Sequence, residues 1–393
     1  MMQGKIKLVT LAKSEVASGL VIIFTFITAL ILANLHATSH FYQDIVFLPI
    51  TMKFGDLIYE TTVVQIVNDG LMTLFFLFIG MELKYQLVCG EYQDRKTLVM
   101  PAFAAIGGIV VPALVYWFFN RNQESIKGWA IPIATDTAFL LGVVSLFGEA
   151  ISKKVRAFIV SFSLIDDALA LLILAIFYTA NINFIALSIS VGLVCILLLL
   201  NARGVQQNSF YLLLGFFLWL SMVESGCHGT LSGAILALTL PVMVNGKISS
   251  SFHQLEKILR PLVCFVILPL FVFINSGIDL DSISVDILKA PISLGIIAGL
   301  FVGKPLGLFG FSWLSVRLKL ARLPHQISWS LLYAVSVLGG IGFTLSLFIG
   351  DLTFEATEPN YTMRVGVIIG SVLSAIYGCI CLFLIKKEYS HSA

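Results

Sequence analysis

The sequence is poor in charged residues. Asp, Glu, Lys and Arg make up 12% of its 393 residues, whereas soluble domains carry roughly 25%. Hydrophobic residues account for 58%, and the mean hydropathy is +0.98. A chain this long and this apolar cannot hide its hydrophobic surface inside a water-soluble globule. The composition therefore excludes a soluble protein and predicts a polytopic membrane protein.

The sequence also lacks the patterns that hold metal ions and disulfides. It has six cysteines, but no CxxC spacing and no cluster of histidines accompanies them. Nearly all of the cysteines lie in or beside apolar runs, and Cys379 and Cys381 fall on different faces of a helix. We interpret them as packing residues of membrane helices. No cofactor is expected.

Segments long enough for a soluble domain are absent as well. A bilayer core needs about 20 apolar residues per helix, and this measure predicts about twelve spans in an all-α protein. Residues 1–393 are predicted to form one integral membrane domain, whose substrate site is built from the helices themselves. The predicted spans lie near residues 15–35, 66–86, 98–119, 126–147, 155–178, 182–201, 209–224, 227–242, 260–277, 290–313, 327–350 and 363–385.

Basic residues indicate how the spans are oriented. When the N-terminus is placed inside, most Lys and Arg residues in the loops and at the ends of the spans fall on the cytoplasmic side, including Lys153, Lys154 and Arg156. Both termini are therefore predicted to be cytoplasmic. The longest outside loop contains a stretch rich in β-branched residues, which predicts either a short β-hairpin near 45–60 or an unstructured loop.

Two adjacent aspartates, Asp166 and Asp167, lie within the apolar run SFSLIDDALALLILAIFY. Ionisable groups inside membrane spans are costly, so each one suggests a function. Adjacent residues on a helix point about 100° apart, so one carboxyl group can line a cavity while the other contacts a neighbouring helix. Two adjacent acids titrate as a coupled pair, and a poorly solvated carboxyl group holds a proton more readily. We interpret the pair as a site that binds a cation and protons in alternation; a structural ion pair or a polar contact between helices is the alternative.

Two predicted spans contain features that interrupt helices. The fourth includes Pro132 and the polar segment ATDTAF, and the eleventh includes the glycine-rich segment GGIGF. Open backbone at membrane depth is tolerated where it is buried or lines a cavity, and two interrupted spans in corresponding halves point to a transporter site. Asp136 can offset the positive ends of half-helices, and Lys304 the negative ends. Close helix packing is the alternative for the glycines.

Several other polar residues admit two interpretations. Lys304 lies inside a span and must be paired or neutral; its pairing with Asp166 or Asp167 is either permanent or broken when a cation or proton binds. Asp69, at the start of the second span, is placed at the outer mouth or caps the helix. His228 is either a pH-responsive group or, by default, a packed polar histidine.

A series of motifs resembles the NhaA family of bacterial Na+/H+ antiporters. The motifs occur in order between residues 68 and 349, so the resemblance covers most of the chain. They are VNDGLMTLFFLFIGMELK, ATDTAF, SLIDDALA, ESGCHGTLSG, LEKILRPLVCFVILPLFVFINSG, GKPLG and GGIGFTLSLFI. The resemblance implies an inverted-repeat transporter fold, in which the two interrupted helices near 126–147 and 327–350 cross.

The resemblance also implies roles for individual residues. Asp167 would be the principal Na+ ligand and proton carrier, and Asp166 its partner, paired with Lys304 in one state. Thr135 and Asp136 would support this site where the interrupted helices cross.

Other matching positions lie outside that site. Asn68 and Asp69 match an outer polar pair, whereas Glu82, Glu256 and His228 match positions linked to the response to pH. The loop around Glu256 departs from the family pattern, because a single histidine, His253, lies near it; most such charge clusters are solvated surfaces.

The expected function is transport, not enzymatic catalysis. By resemblance, the protein is an electrogenic, pH-regulated antiporter of the bacterial inner membrane, which expels Na+ and Li+ in exchange for H+ by alternating access and contributes to sodium and pH homeostasis. The stretch 45–60 would join two protomers of a homodimer. The lipid bilayer is the other expected partner, and no nucleic acid is expected.

Other functions fit the sequence less well. A Na+-coupled symporter of a small organic solute on a similar fold is the main alternative, but no sequence feature provides a solute pocket. An intramembrane aspartyl protease needs acids on two helices, and the chain has no GxGD segment. A channel would require a repeated, filter-like segment.

Overall fold

The structure is a computed structural model. It describes residues 2–391 except 55–56, 91–94, 148–150, 152, 180–181, 245, 324–326 and 355–357. The α-helices are α1 (Met2–Asn34), α2 (Ser39–Val46), α3 (Val63–Gln65), α4 (Met72–Cys89), α5 (Arg95–Asn120), α6 (Thr137–Ser145), α7 (Lys153–Phe177), α8 (Phe184–Ala202), α9 (Asn208–Glu224), α10 (Thr230–Thr239), α11 (Ser250–Leu262), α12 (Leu268–Asn275), α13 (Val285–Lys289), α14 (Pro291–Ala298), α15 (Lys304–Arg317), α16 (Trp329–Leu338), α17 (Phe343–Phe354) and α18 (Glu358–His391). The strands are β1 (Pro49–Phe54), β2 (Leu57–Thr62), β3 (Met243–Val244) and β4 (Lys247–Ile248).

Long apolar helices dominate the described part of the chain. There, eight helical segments are long and apolar enough to cross a membrane, judged by length and composition alone, and two bent helix pairs bring the number to as many as ten. The polytopic helical class is therefore confirmed. The predicted seventh and eighth spans correspond to the shorter apolar helices α9 and α10, so the count of twelve and the inverted repeat stay predictions.

Short π-helical segments adjoin several of these helices. Within the described residues they are Ile66–Leu71, Val263–Ile267 and Gly299–Gly303. A π-segment departs from 3.6 residues per turn and is frequent at functional sites. Asn68 and Asp69 lie inside the first segment, and Lys304 directly follows the third. Hydrophobic periodicity does not predict such irregularities.

The hairpin near 45–60 is present as the antiparallel pair β1–β2, with Pro49 opposite Thr62. Its turn at 55–56 lies outside the described residues. Thr62 ends β2 and also caps α3: its hydroxyl accepts from the Gln65 N–H, and the Gln65 side chain accepts from the Thr62 N–H. This cap sets the point where the extended strand changes into the helical segment that leads to Asn68, and the unstructured-loop alternative is excluded.

The contacts divide the chain into two compact units. The first comprises Met1–Asn34, Asp94–Ala170 and Ser276–Ala393, and within it α5 packs along α15. Gly107 and Gly307 permit this close approach, because a Cβ atom at either position would overlap the backbone carbonyl oxygen of the other. Small residues thus hold α15, and with it Lys304, close to α5.

The second unit comprises Leu35–Gln93 and Leu171–Asn275. Within it α4 packs along α10. Gly233 lies so close to α4 that a Cβ atom there would overlap the Thr73 carbonyl. The same small-residue packing therefore recurs in both units. The prediction that residues 1–393 act as one membrane domain stays a prediction.

Candidate functional site

Two interrupted helices meet in the first unit. The 3-10 helix Glu124–Ile133 is separated from α6 by a bend of 42°, and α16 is separated from α17 by a bend of 41°. The breaks are joined directly: the Asp136 N–H donates to the Ile341 carbonyl at 2.6 Å, and the Thr135 hydroxyl donates to the Gly339 carbonyl at 3.0 Å. We name this region the helix crossing. Backbone groups that an intact helix would have satisfied find their partners across it.

Asp136 serves two half-helices at the crossing. One carboxylate oxygen accepts from the Phe139 N–H at 3.0 Å and so caps α6. The other accepts from the Thr344 N–H at 3.2 Å, in the first turn of α17. A negative charge at two helix N-termini satisfies unpaired amide groups and offsets the positive ends of both dipoles.

Whereas Asp136 lies at two N-terminal ends, Lys304 lies at the C-terminal end of a half-helix. Its side chain is 0% exposed, and its Nζ donates to Asp166 Oδ2 at 2.7 Å. The same ammonium group donates to the backbone carbonyl of Ile133, the last residue of the 3-10 helix. A cation at this position offsets the negative end of that helix while neutralising a buried carboxylate.

Asp166 and Asp167, which we name the carboxylate pair, are 1% and 6% exposed. The Oδ1 atoms of both residues are buried and lie within hydrogen-bond geometry of no partner among the described residues. The Thr135 side chain interacts with the Asp166 carboxyl group, whereas Asp167 has no such neighbour in the described part of the chain. Asp167 interacts electrostatically with Asp166, Asp136 and Lys304. A buried carboxylate oxygen without a partner is costly, and either a bound cation or a proton would remove that cost.

The packing of α15 determines where Lys304 lies. The π-segment Gly299–Gly303 precedes it, and Pro305 follows it at the first turn of α15. Gly108 on α5 faces the ammonium group, since a Cβ atom there would lie 3.5 Å from Lys304 Nζ. Lys304 was predicted from the sequence, but the contacts of Gly107, Gly108 and Gly307 were not. Their signals in the sequence are the GG pair on α5 and the GxxxG spacing of Gly303 and Gly307.

A second polar cluster lies in the other unit. Arg260 Nη2 contacts Glu82 Oε2 at 2.9 Å and Glu256 Oε1 at 2.9 Å. His253 Nδ1 lies 3.5 Å from the second oxygen of Glu256. We name Arg260, Glu82 and Glu256 the arginine cluster. Both glutamates were predicted from the sequence, but a role for Arg260 was not, because Arg260 stands at the predicted edge of a span, where basic residues are common.

The remaining predicted residues have separate surroundings. Asn68 exchanges amide hydrogen bonds with the buried Asn275, at 2.9 and 3.4 Å; Asn275 is uncharged and therefore gave no signal in a search for ionisable groups. Asp69 is exposed, and its carbonyl accepts from Thr73 at 2.6 Å. His228 is partly buried between α9 and α10 and hydrogen-bonds to the backbone of Tyr178.

No group of three or more His, Cys, Asp or Glu side chains in the described part of the chain is arranged to hold a metal ion. A cation at the carboxylate pair would therefore need hydroxyl or backbone oxygens as additional ligands. Carboxylate, hydroxyl and carbonyl oxygens are the ligands that hard cations prefer.

Comparison with known proteins gives one consistent answer. The family model described as Na+/H+ antiporter 1 matches residues 10–382. A protein of Rickettsia massiliae named Na(+)/H(+) antiporter NhaA is 50% identical over 375 residues, which cover 94% of this chain and 92% of the relative. Similar proteins from Clostridium beijerinckii, over 378 residues, and Yersinia enterocolitica, over 385 residues, are each 41% identical and cover 94% and 98% of the relatives.

Proposed function

Because the chain belongs to the Na+/H+ antiporter 1 family and is a multi-pass sodium/proton antiporter, we propose that exchange takes place at the carboxylate pair. The observation that carries this proposal is the pair of unpartnered, buried oxygens on Asp166 and Asp167 beside the buried ammonium of Lys304. Asp167 is the principal ligand of Na+ or Li+, and it also carries a proton. No cofactor takes part in the exchange.

The proposed cycle is a competition between a cation and protons. When both carboxylates are ionised, Na+ binds between them and is held by their oxygens. When protons bind instead, the pair loses its charge and its attraction for the cation. Asp166 pairs with Lys304 in one of these states, so Lys304 compensates the charge that the departing cation leaves behind. Thr135 and Asp136 keep the crossing in place while the occupant changes.

Movement of helices then exposes the carboxylate pair to each side of the membrane in turn. We propose that this occurs in a fold of twelve spans with an inverted repeat, in which residues 1–393 act as one domain and both termini face the cytoplasm of a bacterium. More protons enter than sodium ions leave, so the exchange is electrogenic and is driven by the membrane potential. The hairpin β1–β2 joins two protomers into a homodimer.

The response to pH is assigned to Glu82 and Glu256 in the arginine cluster, and to His228. Loss of the negative charge of either glutamate would weaken its contact with Arg260, which joins α4 to α11. Glu82→Gln and Glu256→Gln are therefore expected to move the pH dependence of exchange more than its maximal rate. Unchanged pH profiles in both variants would exclude this assignment.

The central proposal is tested in everted membrane vesicles acidified by respiration, with a pH-sensitive dye. Addition of NaCl or LiCl is expected to dissipate the gradient, KCl is not, and Asp167→Asn is expected to be inactive. If Asp167→Asn retains the exchange of the unsubstituted protein, the carboxylate pair is not the site. Electrogenicity is tested in proteoliposomes: Na+ uptake driven by an outward proton gradient makes the lumen negative, so clamping the membrane potential to zero should accelerate this uptake, whereas an electroneutral exchanger would be unaffected.

A further inference from the structure

A third polar side chain lies beside the carboxylate pair without a role in the exchange described so far. Ser163 is on α7, one helical turn before Asp167, and is 0% exposed. Its Oγ is buried, and the described residues offer it no hydrogen-bond partner. The Oδ1 atoms of Asp166 and Asp167 share this condition. Three oxygens without partners thus occur within five consecutive residues of one helix.

The Ser163 hydroxyl differs from those of several buried serines in helices, although Ser371 and Ser374 on α18 likewise have no hydrogen-bond partner among the described residues. The hydroxyls of Ser190, Ser312 and Ser336 donate to the carbonyl four residues earlier, at 3.1, 2.7 and 2.8 Å. This back-bonding is the usual solution for a serine in a helix that water does not reach. The Ser163 hydroxyl does not take it, so its lone pairs and its proton remain available for another occupant of the site.

Helix geometry places Ser163 between the two aspartates. Asp167 is four residues further along α7, about 40° away around the axis, and Asp166 is three residues further, about 60° away on the other side. Side chains in an α-helix tilt toward the N-terminus, so both carboxylates lean toward the turn that carries Ser163. The three side chains therefore lie within an arc of about 100° on α7, with Ser163 between the two directions in which the carboxyl groups point.

We propose that the Ser163 hydroxyl oxygen is a further ligand of the transported cation and strengthens the binding of Na+ and Li+ relative to protons. This inference rests on the proposed function of the carboxylate pair. Hard cations take oxygen ligands, including neutral ones. The carboxylates bind both the cation and the protons, so pH alone would decide which of them occupies the site. A serine hydroxyl coordinates the cation but does not accept the transported proton, so it strengthens cation binding only.

The alternative role is structural: the hydroxyl could donate to an ionised carboxylate and so stabilise its charge. The two roles differ in one measurable respect. Loss of a ligand raises the KM for the cation by the same factor at every pH, whereas loss of a donor to the carboxylate moves the pH at which protons and cations compete. The dependence of KM on pH therefore separates them.

The experiment compares Ser163→Ala, Ser163→Cys and Ser163→Thr with the control Ser161→Ala. Ser161 is a buried serine on the same helix that points about 160° away from Ser163. KM for Na+ and Li+ is measured in everted vesicles from about neutral to alkaline pH, and the Kd for Li+ is measured by calorimetry on the purified protein. We expect KM and Kd to rise about tenfold in Ser163→Ala, the change that 1.4 kcal/mol produces.

The other variants complete the test. Ser163→Cys keeps the shape of the side chain but offers a soft sulfur atom, so it should also weaken binding, whereas Ser163→Thr and Ser161→Ala should bind Li+ as the unsubstituted protein does. An unchanged Kd in both Ser163→Ala and Ser163→Cys, or a KM that changes only through a shifted pH profile, would overturn the proposal. The function at the carboxylate pair would still stand in that case, because Asp167→Asn tests it independently.

Discussion

At the scale of single residues, Lys304 joins the carboxylate pair to the end of an interrupted helix. It is fully buried, pairs with Asp166 and donates to the carbonyl of Ile133. Burial of two opposite charges is costly, and their attraction repays the cost only while both are present. Removal of one partner leaves an uncompensated charge, whereas replacement of both by neutral groups is tolerated. The contribution of Lys304 to stability therefore depends on Asp166.

Lys304→Met is expected to destabilise the protein by about 3–5 kcal/mol, because it leaves the Asp166 carboxylate buried without a cation. The measurement is the unfolding of the purified protein in detergent, at a pH where the carboxylates are ionised. The double variant Asp166→Asn/Lys304→Met should recover most of this loss. A double variant as unstable as Lys304→Met alone would mean that packing of the lysine stem, not the ion pair, determines stability.

The sequence predicted this pair because charged residues are scarce in the spans. Asp166, Asp167 and Lys304 were conspicuous among apolar neighbours, and a buried lysine needs a nearby acid. Arg260 and Asn275 were missed for opposite reasons. Arg260 stands at the end of a predicted span, where arginine is common, and Asn275 carries no charge, so only its contact with Asn68 reveals it.

At the scale of elements, the contact between α5 and α15 determines the position of the Lys304 ammonium group in the site. Gly107 and Gly307 bring two backbones together, and Lys304 begins α15 one turn from Gly307. Gly303 also approaches Pro112, since a Cβ atom there would lie 2.8 Å from the Pro112 Cα. Any side chain inserted at this contact displaces α15 and carries the ammonium group of Lys304 with it.

Gly307→Ala is expected to destabilise the protein by about 1–3 kcal/mol, as overpacking of a close contact does, and to reduce Na+-driven proton movement. Gly310→Ala is the matched control, because the same substitution on the same helix meets nothing within 4 Å; it should leave stability unchanged or raise it by about 0.5–1 kcal/mol. Both are measured by thermal unfolding and by the vesicle assay. Equal effects of the two variants would show that the helix contact does not position Lys304.

Sequence patterns predicted the interrupted helices but not the details of their surroundings. A proline with a polar cluster in one span and clustered glycines in another indicated both breaks. The π-segments and the contact between Gly107 and Gly307 were not predicted, because each depends on which helix lies opposite. A glycine at a close approach and a glycine on an open surface, such as Gly307 and Gly310, are identical in a single sequence.

At the scale of the whole molecule, binding of the cation should stabilise the folded state. A ligand that binds the native protein at one hundred times its Kd adds about 2.7 kcal/mol. We expect Li+ and Na+ to raise the thermal unfolding midpoint at alkaline pH, where protons do not compete, and K+ at equal ionic strength to have a much smaller effect. Asp167→Asn should abolish the difference between the ions. If K+ stabilises as much as Na+, the effect is one of ionic strength and not of a specific site.

Hydropathy predicted the class of the molecule and the approximate position of its long helices. The bilayer imposes a minimum length on each span, and this constraint is visible in one sequence. It predicted the bounds of α9 closely, but it did not predict that α10 covers only Thr230–Thr239 of the predicted span 227–242. Nor does it predict how discontinuous segments gather into two compact units, because that grouping depends on contacts between residues far apart in the chain.

Several of the hydrogen-bond acceptors at the helix crossing are backbone carbonyl groups, and this affects which substitutions the sequence can tolerate there during evolution. The carbonyl groups of Ile131, Ile133, Gly339 and Ile341 accept the bonds that hold it together, and every residue type supplies a carbonyl. At the three isoleucines, mutation is therefore restricted by volume and hydrophobicity, and Val or Leu should appear there freely as the gene diverges. The side chains that the hydrogen bonds of the crossing require are those of its donors and of Asp136. Conservative substitutions at the three isoleucines can therefore change the apolar lining of the crossing without changing its hydrogen bonds.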